Sequence, residues 1–136
     1  MNEDTPHEVA LYMAAAHESL QAARLALTND FYTAAINRAY YAIFYAANAV
    51  LATQKLARGK HSGVLAAFRQ YFIKTEKLPL ELSEIYGRVM EDRQEGDYDL
   101  LSPLSKEDAT FDLEQAEHFV EVIQDWLREQ PWQPHK

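Results

Sequence analysis

The chain has 136 residues, 48% of them hydrophobic, no cysteine and a formal charge of −8. That length and apolar share fit one domain with one core. The missing cysteines exclude disulfides, thiolate catalysis and Cys-ligated zinc, and the acidic balance excludes a nucleic-acid contact spread over the whole surface.

Hydrophobic period and capping residues predict five helices and no strand, so the expected fold is an all-α, antiparallel up-and-down bundle of four or five helices filling residues 1–136. The start, Met1-Asn2-Glu3-Asp4-Thr5, lacks the basic and apolar regions of a secretory leader, and a cytoplasmic protein is expected. The first helix opens at Thr5-Pro6-His7-Glu8, where Thr5 caps, Pro6 suits the first turn and Glu8 reaches back. Its inward stripe is Val9, Met13, Ala16, Leu20, Ala23 and Leu27. Thr28-Asn29-Asp30 breaks it, with Asn29 or Asp30 expected to cap a central helix running from about Phe31 to Leu56.

Within that helix, Ala39 to Ala52 holds no charge, no glycine, no proline and a single amide, Asn48. A helix apolar around its whole circumference must be covered on every side. The stretch rises only about 21 Å, too short for a bilayer, so no membrane partner is expected. Neighbouring helices of one chain are expected to cover three sides, leaving the fourth for a second copy. The reading is a homodimer with Asn37, Arg38 and tyrosine hydroxyls at its seam.

Residues 57–63 read as a loop with glycine on both sides of its polar residues, and a short third helix follows, burying Val64, Leu65, Phe68 and Phe72. Lys55 to Lys77 carries six Lys or Arg against Glu76 alone, a basic strip on an acidic body that fits either local phosphate binding or a solvated face. Leu78-Pro79 stops one helix and starts the next. The fourth turns Leu82, Ile85 and Val89 inward and is expected to fade at Gly96. The last begins at a capping box, Ser105-Lys106-Glu107-Asp108, presents Ala109, Leu113, Ala116, Val120, Ile123 and Leu127, and ends before Pro131.

Arg93 continues the inward stripe of Ile85 and Val89 at a spacing of four. A guanidinium keeps its charge, so one aimed at a packed face needs an anion or a cleft. With Gly96 expected to turn the chain back, one reading pairs Arg93 with Asp97 or Asp99. The other leaves it in a dimer cleft to bind phosphate and to stabilise charge developing there. His61, at the start of the third helix beside Arg58 and Lys60, is a candidate phosphate contact or general acid/base, or else a cap residue. Arg38 shares a face of the central helix with Tyr41 and Tyr45.

Other motifs fail on their own terms. Gly59-Lys60-His61 lacks the upstream glycine and the Ser/Thr of a phosphate-binding loop. Glu114 and His118 stand four apart, but no Glu-x-x-His pair exists for a di-metal bundle, and Asp97-Tyr98-Asp99 lacks the glycine and closing glutamate of a calcium loop. No metal and no cofactor is implied. His7, His17 and His135 read as surface residues without partners.

The run Asn37-Arg38-Ala39-Tyr40-Tyr41-Ala42-Ile43-Phe44-Tyr45 is followed by Lys60-His61-Ser62-Gly63-Val64, then Tyr71-Phe72-Ile73-Lys74-Thr75 and Asp92-Arg93-Gln94-Glu95-Gly96-Asp97-Tyr98-Asp99. In that order the segments resemble the HEPN domain family over nearly the whole chain. The resemblance implies a helical bundle, commonly a homodimer, often paired with a small nucleotidyltransferase in two-component toxin–antitoxin systems. Many members are metal-independent ribonucleases with an Arg-x4-6-His motif, two copies meeting across the dimer to cut RNA and leave a cyclic phosphate. Here Arg93 matches the arginine, but after four intervening residues Tyr98 stands where histidine is expected. A neutral tyrosine titrates near pH ~10 and is a poor base at neutrality.

Three functions follow as expectations. The preferred one is a dimeric module binding nucleotide, RNA or a cognate nucleotidyltransferase through Arg93, Asp97, Tyr98, His61 and Arg38, with Arg58 and Lys60 as phosphate contacts. The second is a ribonuclease toxin using Arg93 with His61 or Tyr98, and the third a non-catalytic assembly module.

Overall fold

A computed structural model describes residues 4–57, 61–98 and 104–130, with the backbone alone at 61, 62, 97 and 98. Every regular element among the described residues is helical: α1 Asp4–Thr28, α2 Tyr32–Ala52, α3 His61–Phe68 running on into a π-helical turn Arg69–Ile73, α4 Leu80–Tyr98 and α5 Lys106–Arg128. The all-α bundle expected from period and caps is the observed architecture. Its axle is α2, against which α1, α3, α4 and α5 all pack.

The apolar run explains that position. Ala39, Tyr40, Ala42, Ile43, Phe44 and every residue from Ala46 to Ala52 are buried. The small side chains Ala39, Ala42, Ala46 and Ala49 let neighbouring helices approach closely, and the close fit of the larger ones supplies dispersion contacts. Past its first turn, where Tyr32, Thr33 and Ala34 are not buried, α2 leaves one half-exposed stripe, Asn37, Arg38, Tyr41 and Tyr45. No described helix is long and apolar enough to cross a membrane.

The boundaries differ from the expected ones where side-chain caps compete with backbone geometry. Asn29 and Asp30 end α1 instead of starting α2. Asp30 takes a left-handed φ of 64°, the Phe31 amide donates to the Ala26 carbonyl at 2.8 Å and Asp30 to Leu27 at 3.0 Å, a closed helix end made without glycine. The residue at the N-cap of α2 is Phe31, without a side-chain cap bond. The far end repeats the device: α2 stops at Ala52, short of Leu56, with Lys55 at φ 60° and the Leu56 amide on the Leu51 carbonyl at 2.8 Å.

Gly63 and Gly96 both lie inside helices, so neither is the loop residue expected. At Gly96 the reason is space: a Cβ there would stand 3.0 Å from Leu104 Cδ1 and 3.1 Å from Thr33 Cγ2. Gly96 thus lets α4 pass close to the start of α2 and carries the helix on to Tyr98. The capping box of α5 is present as read, Ser105 Oγ accepting from the Asp108 amide and the Asp108 carboxylate accepting from Ser105. An aromatic cluster of Phe68, Phe72, Tyr86, Phe119 and Trp126 locks α3, α4 and α5 together, with Phe68 and Phe119 ring centres 5.5 Å apart.

Candidate functional site

On α4, Ile85 and Val89 are buried and Arg93 follows them on the same stripe, half-buried as it reaches the edge of the core. Its guanidinium carbon lies 4.8 Å from the Tyr40 ring centre and 5.7 Å from that of Tyr41. Arg38, arriving along α2, sits 4.6 Å from the same Tyr41 ring, and the Asn37 side-chain oxygen accepts from its Nε and Nη2 at 3.3 and 3.1 Å. Two arginines from two helices therefore flank one tyrosine. Cation–π contact holds such groups by about 0.5–2 kcal/mol each while leaving their charge unneutralised by the ring.

Beside Arg93 opens a cavity of about 440 Å³, walled by Leu65 and Ala66 of α3, Arg69 of the π turn and Met90, Arg93 and Gln94 of α4, with Tyr40 at its base. Tyr40 abuts Tyr86 edge to face at 6.3 Å, and both are fully buried. Burial pushes the Tyr40 hydroxyl above its ordinary pKa, against the smaller opposing pull of the Arg93 charge. Burial raises Tyr86 further, and the nearby Tyr40 adds to it. Both hydroxyls stay protonated at neutral pH, so they are neutral dipoles under the arginines and not bases. The groups lining the cavity among the described residues are cationic, polar or apolar, with no carboxylate among them.

The family model of the HEPN domain matches residues 9–126, a span running from the first turns of α1 to the end of α5 and including every residue of this groove. The chain belongs to the HEPN domain family. Similar proteins include a UPF0332 protein of Thermotoga maritima, 42% identical over 109 residues, covering 80% of this chain and 83% of the relative. A protein of Methanocaldococcus jannaschii named "Putative toxin" is 36% identical over 133 residues, 95% of this chain and 96% of its own. A second M. jannaschii protein of that name is 37% identical over 112 residues, covering 82% and 76%.

Within this HEPN fold, Arg38 and Arg93 both lie against the Tyr41 ring. His61 is the first residue of α3, one turn before Leu65 of the cavity wall, and its side chain lies outside the described residues. So do Arg58, Lys60 and Asp99, and the side chains of Asp97 and Tyr98, whose backbone ends α4 one turn beyond Arg93. The expected pairing of Arg93 with Asp97 or Asp99 therefore falls outside the described residues as well. With Gly96 helical, the backbone of Asp97 continues α4 instead of leaving it at a turn.

Three features were missed. Arg69 counted only as part of the basic strip, although Ser83 and Gly87, four apart on α4, mark a helix face with room for a long side chain to lie across. Tyr86 was not singled out. Asp112, three residues after the stripe position Ala109, is an acid on the buried face of α5, and that was a legible signal. It is fully buried, with Arg88 Nε 3.4 Å from its Oδ1, and Arg88 also reaches Asp92 at 3.7 Å while lying 4.2 Å over the Phe111 ring. Burial first, then the shared proton and charge of Asp92, hold the Asp112 carboxyl far above the usual carboxylate range against the pull of Arg88.

No group of three or more His, Asp or Glu able to hold a metal occurs among the described residues. His118 faces Glu81 of α4 at 2.7 Å, a link across two helices in place of the metal position considered with Glu114. His17, read as a surface residue without a partner, meets Gln124 of α5 at 2.8 Å.

Proposed function

We propose that this HEPN protein is the toxin-type member of a two-component pair, a homodimer whose arginine groove binds the phosphates of RNA or of a free nucleotide. One observation carries the reading: Arg93, on the inward stripe of α4, is held half-buried against Tyr40 and Tyr41 at the mouth of a cavity it shares with a second arginine. A guanidinium fixed in this way loses little freedom on meeting a phosphate and binds it by two parallel hydrogen bonds. The toxin class comes from the names of the two archaeal relatives. The open stripe Asn37, Arg38, Tyr41 and Tyr45 on α2 is the surface on which a second copy would bring its own groove near. A cognate nucleotidyltransferase would act by covering the same arginines.

The test is fluorescence anisotropy of a labelled single-stranded RNA, with AMP as competitor. Arg93→Ala is expected to weaken binding at least tenfold, about 1.5–3 kcal/mol for a charge-assisted hydrogen-bond pair. Undiminished binding in that variant would overturn the reading.

Cleavage is the second reading, favoured by the position of His61 one turn before Leu65 on the wall of the Arg93 cavity. There an imidazole would take the proton of a ribose 2′-hydroxyl as its oxygen attacks the adjoining phosphorus. The imidazolium gives that proton to the 5′-oxygen as its bond to phosphorus breaks, leaving a cyclic phosphate on one fragment and a 5′-hydroxyl on the other, with Arg93 stabilising the charged phosphorane. Growth arrest on expression, lost in Arg93→Ala and in His61→Ala, would separate this from binding alone.

A further inference from the structure

Arg69 lines the same cavity as Arg93, and three separate features place it. It is the first residue of a π-helical turn, closed by the Lys74 amide on the Arg69 carbonyl at 2.9 Å; such turns offset the side chains around them from the ordinary helical positions. Its Nε donates to Ser83 Oγ at 2.8 Å. Its Nη2 would stand 3.1 Å from a Cβ at Gly87, so the missing side chain gives the guanidinium room to lie across α4.

The Ser83 bond uses Nε and a neutral partner. Among the described residues Arg69 meets no carboxylate, and its two terminal nitrogens carry no hydrogen bond to any of them. That edge of a guanidinium is the one that matches two phosphate oxygens. The positive charges also form a sequence across the molecule: Arg38 and Arg93 on either contact of Tyr41, then Tyr40 under Arg93, then Tyr86, whose hydroxyl feels the charge of Arg69. A free mononucleotide needs one such anchor. A row of them fits a ligand with phosphates at regular intervals.

We propose that Arg69 is a second phosphate anchor of this groove, binding the phosphate next to the one held at Arg93. The proposal rests on the anion-binding reading of the Arg93 groove and adds a residue to it.

The experiment compares Arg69→Ala, Gly87→Ala and Arg93→Ala with the unaltered protein, using a short single-stranded RNA and AMP as probes at several salt concentrations, together with thermal melts. Arg69→Ala is expected to lower RNA affinity about tenfold, to reduce the slope of log affinity against log salt by about 0.7, and to leave AMP binding unchanged. Gly87→Ala keeps the charge but pushes the guanidinium aside. It should weaken RNA binding while its melting temperature stays level or rises, because alanine favours a helix interior over glycine.

Loss of RNA binding in Arg93→Ala with full affinity and an unchanged salt slope in Arg69→Ala would overturn this proposal and leave the groove reading intact. Equal losses for RNA and AMP in Arg69→Ala would also overturn it, since both arginines would then serve one phosphate. No binding of RNA by the unaltered protein, or binding indifferent to Arg93, would remove the groove reading and this proposal with it.

Discussion

Two grooves among the described residues differ in how their charges are placed. Between α1 and α5 a cavity of about 630 Å³ is lined by His17, Arg24, Glu117, Gln124, Asp125 and Arg128. There both arginines meet carboxylates of the groove itself, Arg24 on Glu117 at 2.6 Å and Arg128 on Asp125 at 3.2 Å, His17 meets Gln124 at 2.8 Å, and Glu121 adds a third acid to the wall. The groove between α2, α3 and α4 seats Arg93 against the Tyr40 and Tyr41 rings and Arg69 on a serine hydroxyl. What differs is that carboxylates line the first groove and none is among the described residues lining the second.

The widest gap between the two should appear on removing the floor of the second. Tyr40→Ala deletes a fully buried ring that touches Tyr41, Phe44, Tyr86 and Arg93, and should cost about 3–5 kcal/mol of stability in urea denaturation. Tyr40→Phe keeps the ring and should retain most of that stability along with RNA binding. A comparably large loss in Tyr40→Phe would mean that the hydroxyl, and not the ring, seats Arg93.

A smaller effect is expected at the buried acid pair behind the groove. Because Asp112 has a raised pKa in the folded state, the native protein binds more protons than the unfolded chain between about pH 4 and pH 8, and stability contributed by the shared proton falls as pH rises through that window. Asp112→Asn removes one of two like charges and keeps a polar group facing Arg88. It should flatten the pH dependence and stabilise the protein by about 1–2 kcal/mol near pH ~8, with less effect near pH ~5. Denaturation curves at the two pH values would check the sign, and a variant less stable at both would refute the shared-proton account.

The smallest effect belongs to the self-paired groove. Arg24 is half-exposed, and such pairs are worth about 0–1 kcal/mol. Arg24→Ala should shift the melt by little and leave RNA affinity untouched, in contrast to Arg93→Ala. Equal loss of RNA binding in both variants would erase the distinction between the grooves.

Much of this architecture was legible in the residues. The uncharged run from Ala39 to Ala52 has no solution but burial, and the 4-3 stripes of α1 and α5 face it because an amphipathic helix has one side to hide. Ser105 to Asp108 specified a helix start through bonds confined to four residues. Arg93 was found from spacing alone. Local chemistry suffices in these cases because the interacting atoms are close along the chain.

Only the tertiary structure decided the rest. Asn29 and Asp30 have cap chemistry suited to either helix, and the backbone bonds closing α1 selected one. Gly96 reads as a terminator until Thr33, far away in sequence, occupies the space a side chain would need. Arg69 and Arg93 stand many residues apart, and nothing local says that a π turn, a serine and a glycine on another helix bring their charges to one cavity. Residues 39–52 obliged the chain to wrap a helix. Which cations ended on the same side of it depended on how neighbouring helices crossed, a property of packing that spacing along one strand of sequence does not encode.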